Sequence, residues 1–341
     1  MTEVTLTAPP IRVFPSPDIP GLSFRGFRGE PDYPVMAEII NAANLVDQIE
    51  DIATVESVAR SYRHIRRSDI ETDMLFAEVD GNPIGYGRCM WAKVQDGDGY
   101  YTYSFFLHLH PDWRRKGIGE AMAAHLINRI KEISHQHPSQ TEKFIQAWGS
   151  DTQVWWDQLI TTLGFTPIRY GILMTRPCSQ PVDILPLPEG VEIRPVEDNL
   201  VRQIFNAIVE SFQDHWNFVE PDEKDFIAWQ DDPDFDPSLW VVAWDGDQVV
   251  GTVLNYINKE ENQNFNRKRG YTENICTRRP WRRQGIARAL LTHSIRMFQE
   301  MGMEETALGV DTENTSGALN LYQDVGYRET RRHITYRKPM N

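Results

Sequence analysis

An internal repeat is the feature that most constrains how this chain folds. The segment PDWRRKGIGEAM resembles the later segment RPWRRQGIARAL, and Trp281 follows its counterpart Trp113 by 168 positions. Two more pairs of similar segments occur in the same order. The pairs are 75–87 with 241–253, 111–122 with 279–290 and 162–169 with 324–331. Ordered similarity at nearly constant spacing indicates a duplicated domain, and 341 residues suffice for two cores of ordinary size.

A proline-rich segment separates the two copies. The sequence TRPCSQPVDILPLPEG occupies positions 175–190 and holds four prolines. Proline at this density disfavours helices and central strands and favours an extended connector. We therefore predict a first domain over 1–176, a linker over 177–190 and a second domain over 191–341.

Each copy predicts the same order of elements. A first strand and helical stretches precede a hairpin, which Asp80-Gly81 and Asp245-Gly246 signal as turns. A further strand then leads into a long helix, followed by a strand, a helix and a final strand. The long helix of the second copy has an apolar stripe beginning at Ile286, with Gly302 as its C-cap. The pattern predicts an α+β fold: two tandem domains, each a mixed sheet in an α/β/α sandwich.

Composition excludes several classes of protein. The sequence has no apolar run of membrane-spanning length and no secretory signal pattern at its start. Cys89, Cys178 and Cys276 are isolated, so we predict neither disulfides nor a metal site and expect a reducing, cytoplasmic compartment. A net charge of −14 argues against binding to nucleic acid or anionic membranes and permits a cationic substrate. Monomer and homodimer both remain open.

A short loop before the long helix has the chemistry of a phosphate site. Arg282–Ala287 in the second copy and Arg114–Gly119 in the first combine basic and small residues where a helix begins. A helix N-terminus exposes unpaired N–H groups and attracts anions, and glycine permits close approach. Neither loop has the pattern of a P-loop or of a dinucleotide-binding turn.

The same loops carry a family resemblance. The pattern [RQ]-x-x-G-x-[GA] after a strand resembles the signature motif of the GNAT acetyltransferase superfamily. With PWRRQGIARALL (280–291) and LGVDTENTSGALNLYQDVGY (308–327), the second copy is similar to tandem GNAT proteins of the mycothiol-synthase-like group. The resemblance covers about 190–338 and, more loosely, 22–170. It implies acetyl-CoA as the acyl donor.

The resemblance also implies which residues bind acetyl-CoA. In the second copy, the backbone of one strand pairs with the pantetheine arm, the loop holds the pyrophosphate, and two asparagines contact CoA or serve only as caps. These residues are Ile275, Cys276, Thr277, Arg282, Arg283, Gln284, Gly285, Ile286, Ala287, Arg288, Asn314 and Asn320. The corresponding residues of the first copy are Leu107, His108, Leu109, Arg114, Arg115, Lys116, Gly117, Ile118, Gly119 and Glu120.

Two residues of the second copy are candidates for proton transfer. Tyr322 occupies the family position that protonates the departing thiolate, and Glu273 lies on the strand that often carries the base. The alternatives are a packed tyrosine and an exposed or ion-paired glutamate. The first copy has Ile160 and Phe105 at these positions, so it either binds acetyl-CoA without turnover or serves as a structural partner.

The acceptor side is predicted in the acidic segment 211–236. Its charge would attract a cationic amine, although a solvated acidic loop is the alternative. Asp214, His215 and Trp216 resemble a recurrent element of the tandem group and are the substrate-binding candidates, with His215 as a reserve base.

These features predict an acetyl-CoA-dependent N-acetyltransferase that acts on a small-molecule amine by direct attack in a ternary complex. Catalysis is assigned to the C-terminal copy. The alternatives are a catalytically silent acyl-CoA-binding or sensing protein and a protein N-acetyltransferase.

Overall fold

The chain forms two compact units. The computed structural model describes residues 8–314 and 316–340. Unit 1 comprises the described residues up to Ile168 and those from Ile334 onward, and unit 2 comprises Arg169–His333. The units differ from the contiguous domains predicted above. The chain enters unit 2 before its proline-rich segment, and its C-terminal residues return to unit 1, so each unit takes its last strand from the other copy.

Unit 1 contains a six-stranded mixed sheet with helices packed on it. Its elements are β1 (Leu22–Arg25), α1 (Tyr33–Asp47), α2 (Val55–Arg63), β2 (Met74–Val79), β3 (Asn82–Val94), β4 (Tyr100–Leu109), α3 (Ile118–Ser134), β5 (Lys143–Ser150) and α4 (Val154–Thr162). The strand order is β1-β2-β3-β4-β5, and the C-terminal part of β12 (Arg328–Pro339) follows β5. Neighbouring strands from β1 to β4 are antiparallel, and β4 and β5 are parallel.

Unit 2 repeats this plan. Its elements are β6 (Thr166–Pro177), β7 (Val191–Arg194), α5 (Val201–Phe212), α6 (Glu223–Gln230), β8 (Val241–Asp245), β9 (Gln248–Tyr256), α7 (Lys259–Asn264), β10 (Arg269–Thr277), α8 (Ile286–Glu300), β11 (Glu305–Asp311) and α9 (Ala318–Asp324). The strand order is β6-β11-β10-β9-β8-β7. The pairing of β10 with β11 is parallel. The prediction of mixed sheets with helices in both copies is confirmed.

Both predicted hairpins form at the Asp-Gly pairs of the sequence. In unit 1 the turn is Asp80-Gly81, with φ of 50° and 80°, between the paired residues Val79 and Asn82. In unit 2 the pair Asp245 and Gln248 flanks the loop, so Gly246 is its first residue and not its second. The two copies therefore reach the same hairpin with the glycine at different positions.

The long helix α8 buries the stripe that its sequence predicts. Ile286, Leu290 and Ile295 are almost completely buried, and the helix ends just before Gly302, whose φ of 74° suits a glycine. The proline-rich segment has neither helix nor strand over 178–190. It is tied to α8, because Arg296 donates to the Val182 carbonyl over 2.7 Å and Thr292 accepts from the Leu185 amide over 3.2 Å. None of the described helices is long and apolar enough to cross a membrane.

Candidate active site

Strand β10 is paired with its parallel neighbour β11 only over its first three residues. The register with β11 runs from Arg269 opposite Glu305 to Tyr271 opposite Ala307 and ends there. On its other side, β10 remains paired with β9 as far as Thr277. Because a strand offers N–H and C=O groups on both edges, the edge of Ile275–Thr277 that faces away from β9 is suited to an extended ligand.

A β-bulge interrupts β10 at the same place. The register with β9 shifts between Glu273 and Cys276, and Asn274 has a φ of 47°. The Thr252 hydroxyl donates to the Asn274 carbonyl over 2.6 Å and holds the bulge. Such a bulge changes the direction of neighbouring side chains. The equivalent strand of unit 1 has no shift, since β3 and β4 pair continuously from Gly85–Leu109 to Val94–Tyr100.

The loop between β10 and α8 presents an open helix N-terminus. Arg283 and Gly285 have φ of 62° and 84°, and no side chain caps α8. A Cβ placed on Gly285 would meet nothing within 4 Å. Free N–H groups, a partial positive charge and the absence of steric cover fit a pyrophosphate. The equivalent loop of unit 1 has the same backbone conformation, since Arg115 and Gly117 have φ of 60° and 82°.

An arginine and an aspartate brace this loop in both units. Arg282 donates to the carbonyls of Thr277 and Ser211 over 3.0 and 3.1 Å and forms an ion pair with Asp214. In unit 1, Arg114 donates to the Leu109 carbonyl and, through two bonds of 2.7 and 2.9 Å, to Asp47. Asp214 therefore occupies the structural position of Asp47.

The three predicted acceptor residues lie near this brace. A hydrogen bond from Arg279 holds the pKa of Asp214 below its usual range. His215 packs against Phe212 with ring centroids 4.3 Å apart, and burial lowers its pKa. The Arg169 guanidinium lies 4.7 Å from the centre of a Trp216 ring. None of the three is among the residues that line the cavity described below.

Tyr322 is buried in the core of unit 2, beside strand β10. It belongs to the apolar cluster that includes Leu291 and Leu308, and Ile275 packs against that cluster. Burial raises the pKa of the phenol, and the nearby Tyr327 and Cys276 raise it further. The hydroxyl is therefore protonated throughout the neutral range and has a proton to donate.

Glu273 lies in the wall of a cavity of about 340 Å³ on the other side of the bulge. The Tyr256 hydroxyl donates to its Oε1 over 3.2 Å. The side chain is exposed at the cavity, and partial desolvation by the groups around it raises the pKa of the carboxyl. The hydrogen bond from Tyr256 acts in the opposite direction, and Asp232 raises the pKa further. The complete lining is Trp229, Asp232, Asp234, Phe235, Trp240, Leu254, Asn255, Tyr256, Asn258, Glu273 and Asn274.

The cavity extends the sequence prediction. The acidic segment 211–236 contributes Trp229 and several other lining residues, but the aromatic walls were not predicted. The signal in the sequence was the density of aromatic residues in 226–240, which resembles an ordinary core pattern.

The other proposed cofactor residues of unit 2 differ in exposure and in their contacts. Arg283 and Gln284 are exposed, and Ile286 is buried as the first residue of α8. Arg288 forms an ion pair with Asp324. Asn314 accepts a hydrogen bond of 2.8 Å from the Ser316 amide, so it stabilises the turn before α9. Ala287 is half-buried, Asn320 is exposed and Cys276 is buried.

In unit 1, aromatic side chains fill the corresponding interior. Phe105, at the position of Glu273, is fully buried and lies 5.8 Å from the Trp156 ring. A Cβ on Gly119 would approach Trp155 Cζ2 to 2.7 Å. Above the loop, a Cβ on Gly117 would lie 3.4 Å from Pro17 Cβ. This copy has kept the loop conformation while side chains occupy the space around it.

The remaining predicted residues of unit 1 divide into buried and exposed groups. Leu107, Leu109 and Ile118 are buried, and Arg115, Lys116 and Glu120 are exposed. Burial and the neighbouring Arg114 lower the pKa of His108 to about 4. Among the residues that the structure describes, no group of three or more His, Cys, Asp or Glu side chains is arranged to hold a metal ion.

Comparison with known protein families agrees with this geometry. The model of the acetyltransferase (GNAT) family matches residues 43–137 and 201–327, which together are more than half of the chain. The chain belongs to the GNAT acetyltransferase family. It is therefore an acyltransferase, and GNAT acetyltransferases use an acyl-CoA as cosubstrate.

Curated GNAT relatives align along most of the chain. A mycothiol acetyltransferase from Geodermatophilus obscurus is 23% identical over 269 residues, which are 78% of this chain and 82% of the relative. A mycothiol acetyltransferase from Salinispora arenicola is 26% identical over 265 residues, which are 76% of this chain and 79% of the relative. The N-alpha-acetyltransferase MAK3 from Arabidopsis thaliana is 33% identical over only 100 residues, which are 29% of this chain and 50% of the relative.

Solved structures share the tandem GNAT fold. A GCN5-related N-acetyltransferase from Sphaerobacter thermophilus aligns with a TM-score of 0.70 at 24% identity, covering 95% of this chain and 96% of the other. A tandem GNAT protein from the clavulanic acid biosynthesis pathway aligns with a TM-score of 0.65 at 13% identity, covering 93% and 98%. The predicted family, fold and enzyme class are thus confirmed.

Proposed function

We propose that unit 2 transfers an acetyl group from acetyl-CoA to the amine of a small molecule, by direct attack in a ternary complex. The observation that carries the proposal is the position of the bulge in β10. On one side of it, Ile275–Thr277 borders the open loop at Gly285; on the other, Glu273 and Asn274 line the cavity. One strand thus connects a groove suited to the donor with a cavity suited to the acceptor.

The residues present fit acetyl-CoA. The free backbone edge of Ile275–Thr277 is suited to the pantetheine arm, and the uncapped start of α8 to the pyrophosphate. Arg282 is fixed by its brace, and Arg283, Gln284 and Arg288 lie on or beside the same loop. We assign Asn314 and Asn320 to the edge of this groove. When bound, acetyl-CoA supplies an activated acetyl group whose carbon–sulfur bond breaks as the amine nitrogen bonds to the carbonyl carbon.

Glu273 and Tyr322 then divide the proton transfers. The raised pKa of Glu273 makes its carboxylate a stronger base than a glutamate with the ordinary pKa, so it accepts the proton that the amine loses. Tyr322 is protonated and lies beside β10, so it donates a proton to the departing sulfur.

Unit 1 is proposed to be a structural partner. Phe105 and Ile160 replace the two proton-transfer residues, both are fully buried, and Trp155 fills the space at Gly119. The packing favours this role over binding of acetyl-CoA without turnover.

Thiol release in the presence of amines tests the proposal. A panel of small primary amines with acetyl-CoA should include at least one that releases free CoA thiol. For that amine, Glu273→Gln should lower kcat by roughly 100- to 10,000-fold, as expected for loss of a general base. Glu192→Gln, an exposed strand glutamate outside the cavity, is the matched control.

Two results would contradict the proposal. Tight binding of acetyl-CoA with no thiol release for any amine would favour the silent sensing protein. Release with peptide N-termini and not with small amines would favour protein acetylation.

A further inference from the structure

Aromatic rings form one wall of the cavity beside Glu273. Trp229 stacks on Trp240 with ring centroids 5.1 Å apart and planes inclined by 16°. Phe235 contacts both rings edge-on, and its ring centroid lies 5.0 Å from that of Trp229 and 5.1 Å from that of Trp240. Tyr256 adds a fourth ring, which is stacked on Tyr271. The faces of such rings carry negative electrostatic potential and attract organic cations.

Carboxylates supply the charge of the same cavity. Asp232, Asp234 and Glu273 line it, and none of the described residues in its lining is basic. Asp232 is close enough to Glu273 to raise the pKa of that carboxyl. Like charges around one cavity repel each other, and a bound cation removes this repulsion.

A buried amide in the cavity wall has an acceptor oxygen without a hydrogen-bond partner. Asn255 is fully buried, and its Nδ2 donates to the Leu239 carbonyl over 2.8 Å and to Ser294 Oγ over 3.1 Å. These bonds fix the orientation of the amide. Its Oδ1 has no hydrogen-bond partner, although buried acceptors are usually satisfied. A ligand that carries N–H or O–H donors to this wall supplies what the protein leaves open.

We propose that this cavity selects an acceptor that is a compact organic cation. Its positive charge lies against the Trp229–Phe235–Trp240 wall and is balanced by Asp232 and Asp234. The inference rests on the proposed function, because it assigns the cavity to the acceptor of unit 2. A volume of about 340 Å³ is at the small end of ligand sites, so it fits a small amine better than a folded or extended polypeptide.

A charged probe and its uncharged counterpart test the inference without any turnover. Choline and 3,3-dimethylbutan-1-ol have the same shape and differ in charge, and neither has an amine that can be acetylated. Titration calorimetry with the full chain should show choline binding at least about tenfold tighter, because cation–π attraction and the carboxylates act on the charge alone.

Single substitutions locate the binding site. Trp229→Leu and Asp232→Asn should each weaken choline binding by about tenfold or more. The asparagine keeps the Oδ1 that accepts from the Asp234 amide, so it removes only the charge. Trp148→Leu and Asp247→Asn, at exposed positions outside the cavity, are the matched controls and should bind choline like the wild type.

The outcomes separate this inference from the proposed function. Equal binding of choline and 3,3-dimethylbutan-1-ol would overturn the cation site. Binding of methyl glucoside without binding of choline would also overturn it and would favour an uncharged sugar stacked on the rings. If the same protein still binds acetyl-CoA, the proposed function stands. Choline binding in a protein that does not bind acetyl-CoA would overturn the proposed function and leave the cation site in place.

Discussion

The Tyr256 hydroxyl donates a hydrogen bond to Glu273 Oε1 over 3.2 Å, beside the bulge that redirects β10. Two effects therefore oppose each other at this carboxylate. Desolvation by the cavity walls raises the Glu273 pKa, and the hydrogen bond from Tyr256 lowers it. The pair sets the pH at which the proposed base loses its proton and becomes active.

Removing the hydroxyl should shift the pH profile. Tyr256→Phe deprives the charged form of Glu273 of a hydrogen bond, so the Glu273 pKa rises. Because only the carboxylate accepts a proton, the acid limb of the kcat/KM profile should move to higher pH. Tyr271→Phe, in the stacked neighbouring ring, should leave that limb in place. An unchanged limb in Tyr256→Phe, or a shift to lower pH, would contradict the assignment of the base.

The proposed acid can be tested with a substitution that preserves packing. Tyr322→Phe keeps the buried ring and removes the hydroxyl, so it should lower kcat by roughly 10- to 1,000-fold with little change in melting temperature. Tyr327→Phe is the matched control, since its hydroxyl bonds to Thr306 within the core of the same unit. A normal kcat in Tyr322→Phe would exclude it as the acid.

The two loop braces should differ in their effect on stability. The side chains of Asp47 and Arg114 are 7% and 8% exposed, so Asp47→Asn leaves a buried guanidinium without its charge partner. We expect it to lower the free energy of unfolding by about 3–5 kcal/mol in urea titrations. Asp214 and Arg282 are 42% and 38% exposed, and Asp214→Asn should have little effect, because solvent screens the pair. Equal losses in the two variants would contradict this account.

The repeat predicted the order of elements in both copies, because periodicity and turn residues are local properties of a sequence. It did not predict that the units exchange their last strands. Segments 166–177 and 328–339 have similar patterns and follow similar helices, so either could complete either sheet. The choice depends on contacts between residues far apart in the chain.

Some parts of the site could be predicted from the sequence and others could not, because the first depend on local motifs and the second on contacts between distant segments. The loop at Gly285 follows from a local motif, and its backbone is repeated at Gly117. The bulge depends on one residue, Asn274, with a positive φ that the sequence pattern does not reveal. The acceptor cavity joins α6 with the distant strands β9 and β10. Its rings therefore have the pattern of core residues. Asp214 stays a substrate-binding candidate, and the structure places it beside Arg279 and Arg282.

Calorimetric titration of acetyl-CoA into matched glycine variants tests the central claim most directly. Gly285 and Gly117 have nearly the same φ, 84° and 82°, so a tryptophan imposes similar backbone strain at either site. A Cβ at Gly117 also contacts Pro17, whereas one at Gly285 meets nothing within 4 Å, so the loss of acetyl-CoA binding is compared only between variants that remain folded. We predict one acetyl-CoA per chain in the wild type, loss of binding in Gly285→Trp and retained binding in Gly117→Trp. Binding that survives in folded Gly285→Trp and disappears in Gly117→Trp would contradict the assignment of the donor site to unit 2.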